Sequence, residues 1–244
     1  MSDFPGAINI YNTYMTSESQ TTTLTKLQEW FSTERMSTYI AAADLRNCDP
    51  VDLYIWNNRV SKAFLEDIAH AEILLRNFIS TRLAKDCNRN NWYDDNSHFH
   101  FDTRRSSGFS NSVNKIKDRL RNDRKPIDPG HVISGFTLGT WHFLLNSRLE
   151  QTVWKALRNP QNGGMPNYPS RNRAEFEGHM QTMLQLRNRL AHQEHIVLID
   201  ESQENTYLNE QSANIYWICK MLNPEAATWI IKQSRIAEVR NERP

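Results

Sequence analysis

Apolar residues recur at helical intervals over most of this chain. From Leu24 to Ala43 the positions Leu24, Leu27, Trp30, Phe31, Met36, Tyr39 and Ile40 fall near spacings of three and four, which predicts a first helix or helix pair. Asp49-Pro50 then punctuates the chain and opens a new helix, because proline in the first turn gives up no N–H that the helix needs. Val51 to Ala84 carries a long apolar period in which Leu65, Ile68, Ala69, Glu72, Leu75, Arg76 and Ile79 trace one side, so the stripe is interrupted by two charges. Val113 to Lys125 places Val113, Ile116 and Leu120 on one face and basic residues around the rest. Val132 to Leu157 is strongly apolar and predicts a central buried helical element, with Gly135 and Gly139 as points of close helix approach.

Glu175 to His192 predicts an amphipathic helix through Phe176, Met180, Met183, Leu184, Leu186, Leu190 and Ala191. Asn209 to Ser234 adds a pattern through Ile215, Ile218, Cys219 and Leu222, a stop at Asn223-Pro224, and a short closing helix with Trp229, Ile230 and Ile231. Asp86 to Ser112 lacks a clean period and predicts an irregular connection or short turns, and Asn159 to Asn172, with three prolines and a Gly-Gly pair, predicts a loop. Ile196 to Ile199 is the one β-branched run short enough for a strand. The expectation is an all-α chain without internal repeats. Residues 1–23 form a polar leader and 24–244 a single domain.

Composition narrows the function classes. The 244 residues are 39% hydrophobic, enough for a substantial core. Lys and Arg total 29 against 28 Asp and Glu, a net charge of +1, so a nucleic-acid site must come from local clustering. Cys48, Cys87 and Cys219 stand far apart without a CxxC pair, which argues against a zinc site and a disulfide framework and fits a reducing cytoplasm. No stretch approaches the roughly 20 apolar residues of a membrane span, and the leader has no apolar run of a secretory signal. No cofactor or metal is expected: His98 and His100, and His192 and His195, have no carboxylate or cysteine grouping at ligand spacing.

The candidate chemistry lies in Leu186-Arg187-Asn188-Arg189-Leu190-Ala191-His192. Arginine holds phosphate through paired donors, and histidine moves protons near neutral pH. His192 suits deprotonation of a ribose 2′-OH or protonation of a leaving 5′-oxygen, Arg187 suits stabilisation of a phosphorane-like transition state, and Asn188 suits orientation of either. Arg187 and His192 differ by about 140° of azimuth on an ideal helix, so they share no face. Two such helices across a two-fold axis would bring both pairs into one cleft. Spacing alone favours the plainer account, in which Arg187 and Arg189 are solvated and His192 is held by the helix macrodipole.

LRNRLAHQEHI at Leu186 to Ile196 resembles the RNxxAH form of the HEPN ribonuclease motif, specifically that of the Abi-like abortive-infection family of the AbiD/AbiF type. Three further segments agree in order and spacing: AEILLRNFI from Ala71, ISGFTLGTWHFLL from Ile133 followed by Trp154, and NPEAATWI from Asn223. Together they cover most of the chain from about Val51 onward. The usual HHEPI continuation is altered, with Gln193 and His195 where histidine and proline are common.

The resemblance implies a HEPN-like helical bundle with additional helices that dimerises, cleaves RNA without metal and serves anti-phage defence or acts as a toxin. A small non-coding RNA or an antitoxin would be its regulatory partner. Arg187 and His192 match the catalytic pair and Asn188 the polar residue beside the arginine. Glu72 and Arg76 match the family's ExxLR element, as a structural ion pair or as supports of the cleft. Arg189 and the basic residues Lys115, Lys117, Arg119 and Arg121 are candidates for phosphate contacts, although a solvated helix face explains each of these four singly. The alternative is a non-catalytic RNA-binding module. Nucleotidyl transfer ranks below both, because the chain lacks a Gly-Ser followed by paired aspartates and a strand to carry them.

Overall fold

A computed structural model describes residues 24–101 and 108–244. The polar leader expected over 1–23 lies outside them. The chain begins as α1 (Leu24–Phe31) and α2 (Thr33–Arg46), so the first apolar segment is a helix pair. The break falls at Ser32, whose backbone turns to φ 81° and whose hydroxyl accepts from Arg35 N at 3.2 Å. Asp49 caps α3 (Pro50–Cys87) by accepting from Val51 N at 2.7 Å, and Asn88 closes it in the left-handed conformation. At 38 residues α3 runs about 57 Å.

α3 is the spine of the molecule. Leu53, Trp56, Val60, Phe64, Ile68, Ala71, Leu75, Ile79 and Leu83 bury along it. α1, α2, α7 (Leu138–Phe143), α8 (Lys155–Arg158), α9 (Arg173–Ala191), α10 (Glu201–Leu222), α11 (Pro224–Gln233) and α12 (Ile236–Asn241) all pack against it. The remaining helices are α4 (Asn96–Phe99), α5 (Phe109–Asn122) and α6 (Pro129–Ser134). One continuous cluster of buried side chains extends from Leu27 to Val239.

Some expectations change. The apolar run Val132 to Leu157 is not one helix: it forms α6, α7, a 3-10 turn at Ser147–Leu149, a π turn at Glu150–Trp154 and α8. Thr137 and Asn146 each cap a new start, since their side-chain oxygens accept from Thr140 N and Arg148 N. Gly135 does allow close approach, because a Cβ there would meet Ile116 Cγ2 at 2.7 Å; at Gly139 the nearest atom is at an ordinary 3.7 Å. The Asp86 to Ser112 connection buries much of its aromatic content: Trp92 stacks on Phe109 with ring centres 6.0 Å apart and meets Trp141 at 6.3 Å. Ile196 to Ile199 is not a strand, for reasons given below. The described residues contain no strand, and the fold is all-α.

Candidate active site

α9 starts under Asn172, whose Oδ1 accepts from Ala174 N at 3.0 Å and Glu175 N at 3.3 Å. Its apolar face, Phe176, Met180, Met183, Leu186 and Leu190, is buried. Arg187 follows Leu186 and is half-buried, on the side where α9 packs on α3. There its guanidinium acts on the carboxyl of Glu72, as does that of Arg76 one turn further along α3. Burial dominates and pushes the Glu72 carboxyl above its ordinary range, and the two arginines pull it back down. Among the described residues none of the three closes an ion pair within 4.0 Å, so Glu72 and Arg76 are not the tight pair their i,i+4 spacing allows. Glu72, Arg76 and Arg187 instead form a loose charged group let into an apolar helix contact.

His192 caps the C-terminus of α9 and is exposed, with its backbone N–H donating to Asn188 O at 2.9 Å. Gln193 takes the left-handed conformation, φ 59°. Gln193 N then donates to Leu190 O at 3.0 Å and Glu194 N to Arg189 O at 2.9 Å, the paired bonds of a Schellman cap. The altered continuation therefore still makes a closed helix end. Among the described residues the side chains of Asn188 and His192 form no hydrogen bond, leaving the imidazole free to meet a ligand.

The chain beyond the cap is tied down by side chains, which is why it makes no strand. Asn57 Oδ1 accepts from Ile196 N at 2.9 Å and Val197 N at 3.3 Å. Glu204 Oε2 accepts from Leu198 N at 2.9 Å. Glu204 is fully buried, and Arg46 and Arg243 neutralise it at 2.9 Å and 2.8 Å. Arg35 donates to Gln193 O at 2.7 Å, and the ring nitrogens of His195 lie 3.4 Å from Thr38 Oγ1 and 3.0 Å from Val197 O. Sequence reasoning missed Asn57, Glu204, Arg46 and Arg243. Asn57 leaves a trace as a polar residue beside Trp56 inside the apolar period of α3.

Compared with known protein families, residues 11–197 match the model described as Abi-like protein. The chain belongs to the Abi-like family. Glu72, Arg76, Arg187, Asn188 and His192 all fall inside the matched residues, whereas α10, α11 and α12 lie beyond them. Membership in the Abi-like family points to abortive infection and defence and is consistent with a nuclease role. No curated protein and no solved structure matches the chain.

The other candidates lie elsewhere on this Abi-like chain. Arg189 turns toward α10, its guanidinium 5.5 Å from the ring of Tyr207 and its Nε 4.0 Å from Glu194. Lys115, Lys117, Arg119 and Arg121 ride on α5, which packs on α6, α7 and the 3-10 turn at Trp92–Asp94, while α9 packs on α3, α7 and α10. Lys117 pairs with Asp94 at 2.6 Å, Arg121 pairs with Asp118, and Arg119 lies over Gly135. The structure thus gathers Glu72 and Arg76 beside Arg187 and leaves Arg189 and the α5 cluster apart. Among the described residues no three His, Cys, Asp or Glu side chains group as metal ligands, and no helix is long and apolar enough to cross a membrane.

Proposed function

We propose that this Abi-like protein is a metal-independent endoribonuclease of the HEPN type, built as a HEPN-like helical bundle and acting as a homodimer in anti-phage defence or as a toxin. One observation carries the reading: Arg187 is held at α3 among Glu72 and Arg76, while His192, five residues on, stands exposed with an imidazole that has no partner among the described residues. A half-buried guanidinium is a preorganised phosphate holder, and an exposed imidazole is a proton carrier.

In one chain these two groups are separated by about 140° around α9. A two-fold axis beside the helix end would set two arginines and two histidines around one scissile phosphate. His192 then takes the proton of the ribose 2′-OH, and the 2′-oxygen attacks phosphorus. The bond from phosphorus to the 5′-oxygen breaks, and that oxygen receives a proton from the partner's His192. Arg187 carries the charge that builds on the phosphoryl oxygens, and Asn188, one turn before His192, orients the imidazole or the phosphate. The products are a 2′,3′-cyclic phosphate and a 5′-hydroxyl. Glu72 and Arg76 are positioning residues for Arg187.

The test is cleavage of a long RNA in EDTA with end-group analysis of the fragments. His192→Ala, shown to be folded, should lose about 10²–10⁴-fold in rate, the usual contribution of a general acid–base group. Cleavage by His192→Ala at the parent's rate would remove the assignment. Binding without cleavage by the parent over long incubation would assign the chain to the non-catalytic RNA-binding alternative.

A further inference from the structure

At the opposite end of α9 from His192, a cleft of about 720 Å³ opens between the end of α3, the π turn, α8 and the segment entering α9. That volume lies within the roughly 300–1,000 Å³ of ligand clefts. Lys155, Arg158 and Arg171 line it, all exposed. Among the described residues none of the three has a carboxylate at ion-pair distance. The one acid in the wall among the described residues, Asp86, also binds Asn162 Nδ2, which donates to it at 2.6 Å, and His98 Nε2, which lies 2.8 Å away. Three cations therefore face one cleft whose wall holds a single carboxylate among the described residues, in a chain whose net charge is only +1.

The cleft is also firmly built. Arg171 is held in the left-handed conformation, φ 47°, which a side chain this large rarely adopts unless its surroundings impose it. Its backbone is fixed on both sides: buried Trp154 donates its indole N–H to Arg171 O at 3.2 Å, and Arg171 N donates to Tyr168 O at 3.3 Å. Lys155 and Arg158 are one helical turn apart directly after the π turn at Glu150–Trp154, a distortion common at functional sites. Thr152 fixes the far wall by donating to Phe99 O at 2.7 Å.

We propose that Lys155, Arg158 and Arg171 form a phosphate-binding cleft for the backbone of single-stranded RNA, separate from Arg187 and about 20 Å from it along α9. The choice of RNA as occupant rests on the ribonuclease reading; the demand for several closely spaced phosphates rests on the three cations alone. Among the described residues no Phe, Tyr or Trp lines the cleft, and its one ring, the imidazole of His98, is tied to Asp86, so stacking of bases is not what the lining favours. It grips without reading sequence and lengthens the footprint beyond the cleaved step.

Fluorescence anisotropy on the full chain tests this, using a labelled 12-nucleotide RNA with every ribose 2′-O-methylated so that it resists cleavage. K155A/R158A should bind at least tenfold more weakly, with the slope of log affinity against log salt shallower by about 1.4, the single-strand value for two lost phosphate contacts. R158K/K155R, which keeps both charges, should bind like the parent and exclude a folding defect. Unchanged affinity and slope in K155A/R158A would overturn the cleft. A parent that cuts no RNA, yet binds it through Lys155 and Arg158, would sink the ribonuclease reading and leave the cleft standing.

Discussion

At the scale of single residues, Glu72 is pulled in opposite directions by its surroundings and by its neighbours. Burial favours the protonated acid, and Arg187 and Arg76 favour the carboxylate; the first is larger, and the carboxyl ends above its ordinary 4.5. A carboxyl whose proton affinity rises on folding favours the folded state below its unfolded pKa and loses that contribution as pH rises through the folded one. Glu72→Gln should therefore match the parent's stability most closely in acid and gain on it as pH rises past 4.5, as read from urea midpoints at several pH values. A variant less stable than the parent at neutral pH would mean that attraction to the two arginines outweighs burial. Glu72 and Arg76 were legible in the sequence because they interrupt an apolar stripe. Glu204 was not, since nothing local marks a carboxylate whose two cations, Arg46 and Arg243, come from the far ends of the described chain.

At the scale of elements, helix ends were decided by capping chemistry that periodicity does not register. The Schellman end of α9 sets His192 outside the last turn, at the cost of holding Gln193 in the left-handed region. That conformation costs a side chain of L configuration roughly 1–2 kcal/mol, and glycine avoids it. Gln193→Gly should raise stability by about 1 kcal/mol, measured as a higher denaturation midpoint with unchanged slope. A loss of stability would show that the Gln193 side chain does more than tolerate the turn. The apolar run Val132 to Leu157 teaches the same point in reverse. Its composition correctly announced burial, but Thr137, Asn146 and the approach of Ile116 to Gly135 broke it into short turns.

At the scale of the whole molecule, α3 carries the arrangement. α9 lies antiparallel to it, so that Arg187 meets Glu72 while the start of α9 lies toward Asp86, near the far end of α3. The proposed chemistry needs two such assemblies. If both chains complete one site, random mixing with an excess of a dead Arg187→Ala chain should suppress the parent. At equal amounts and complete exchange, about half of the parent's activity should remain, because only parent–parent dimers cut. Activity that stays proportional to parent alone would show that one chain suffices.

By itself the sequence determined the all-α class, the main amphipathic helices and the residues of the Arg187 to His192 segment, because helical period, capping residues and motif spacing are local properties of the chain. Only the tertiary structure decided that Glu72 and Arg76 join Arg187, that Arg189 and the α5 cations stand apart, and that Asn57 and Glu204 anchor the backbone beyond the motif. It also decided that Lys155, Arg158 and Arg171 face one cleft. Each of these depends on which groups share a low-dielectric contact, and that is fixed by how distant helices pack, a property no local stretch of sequence contains.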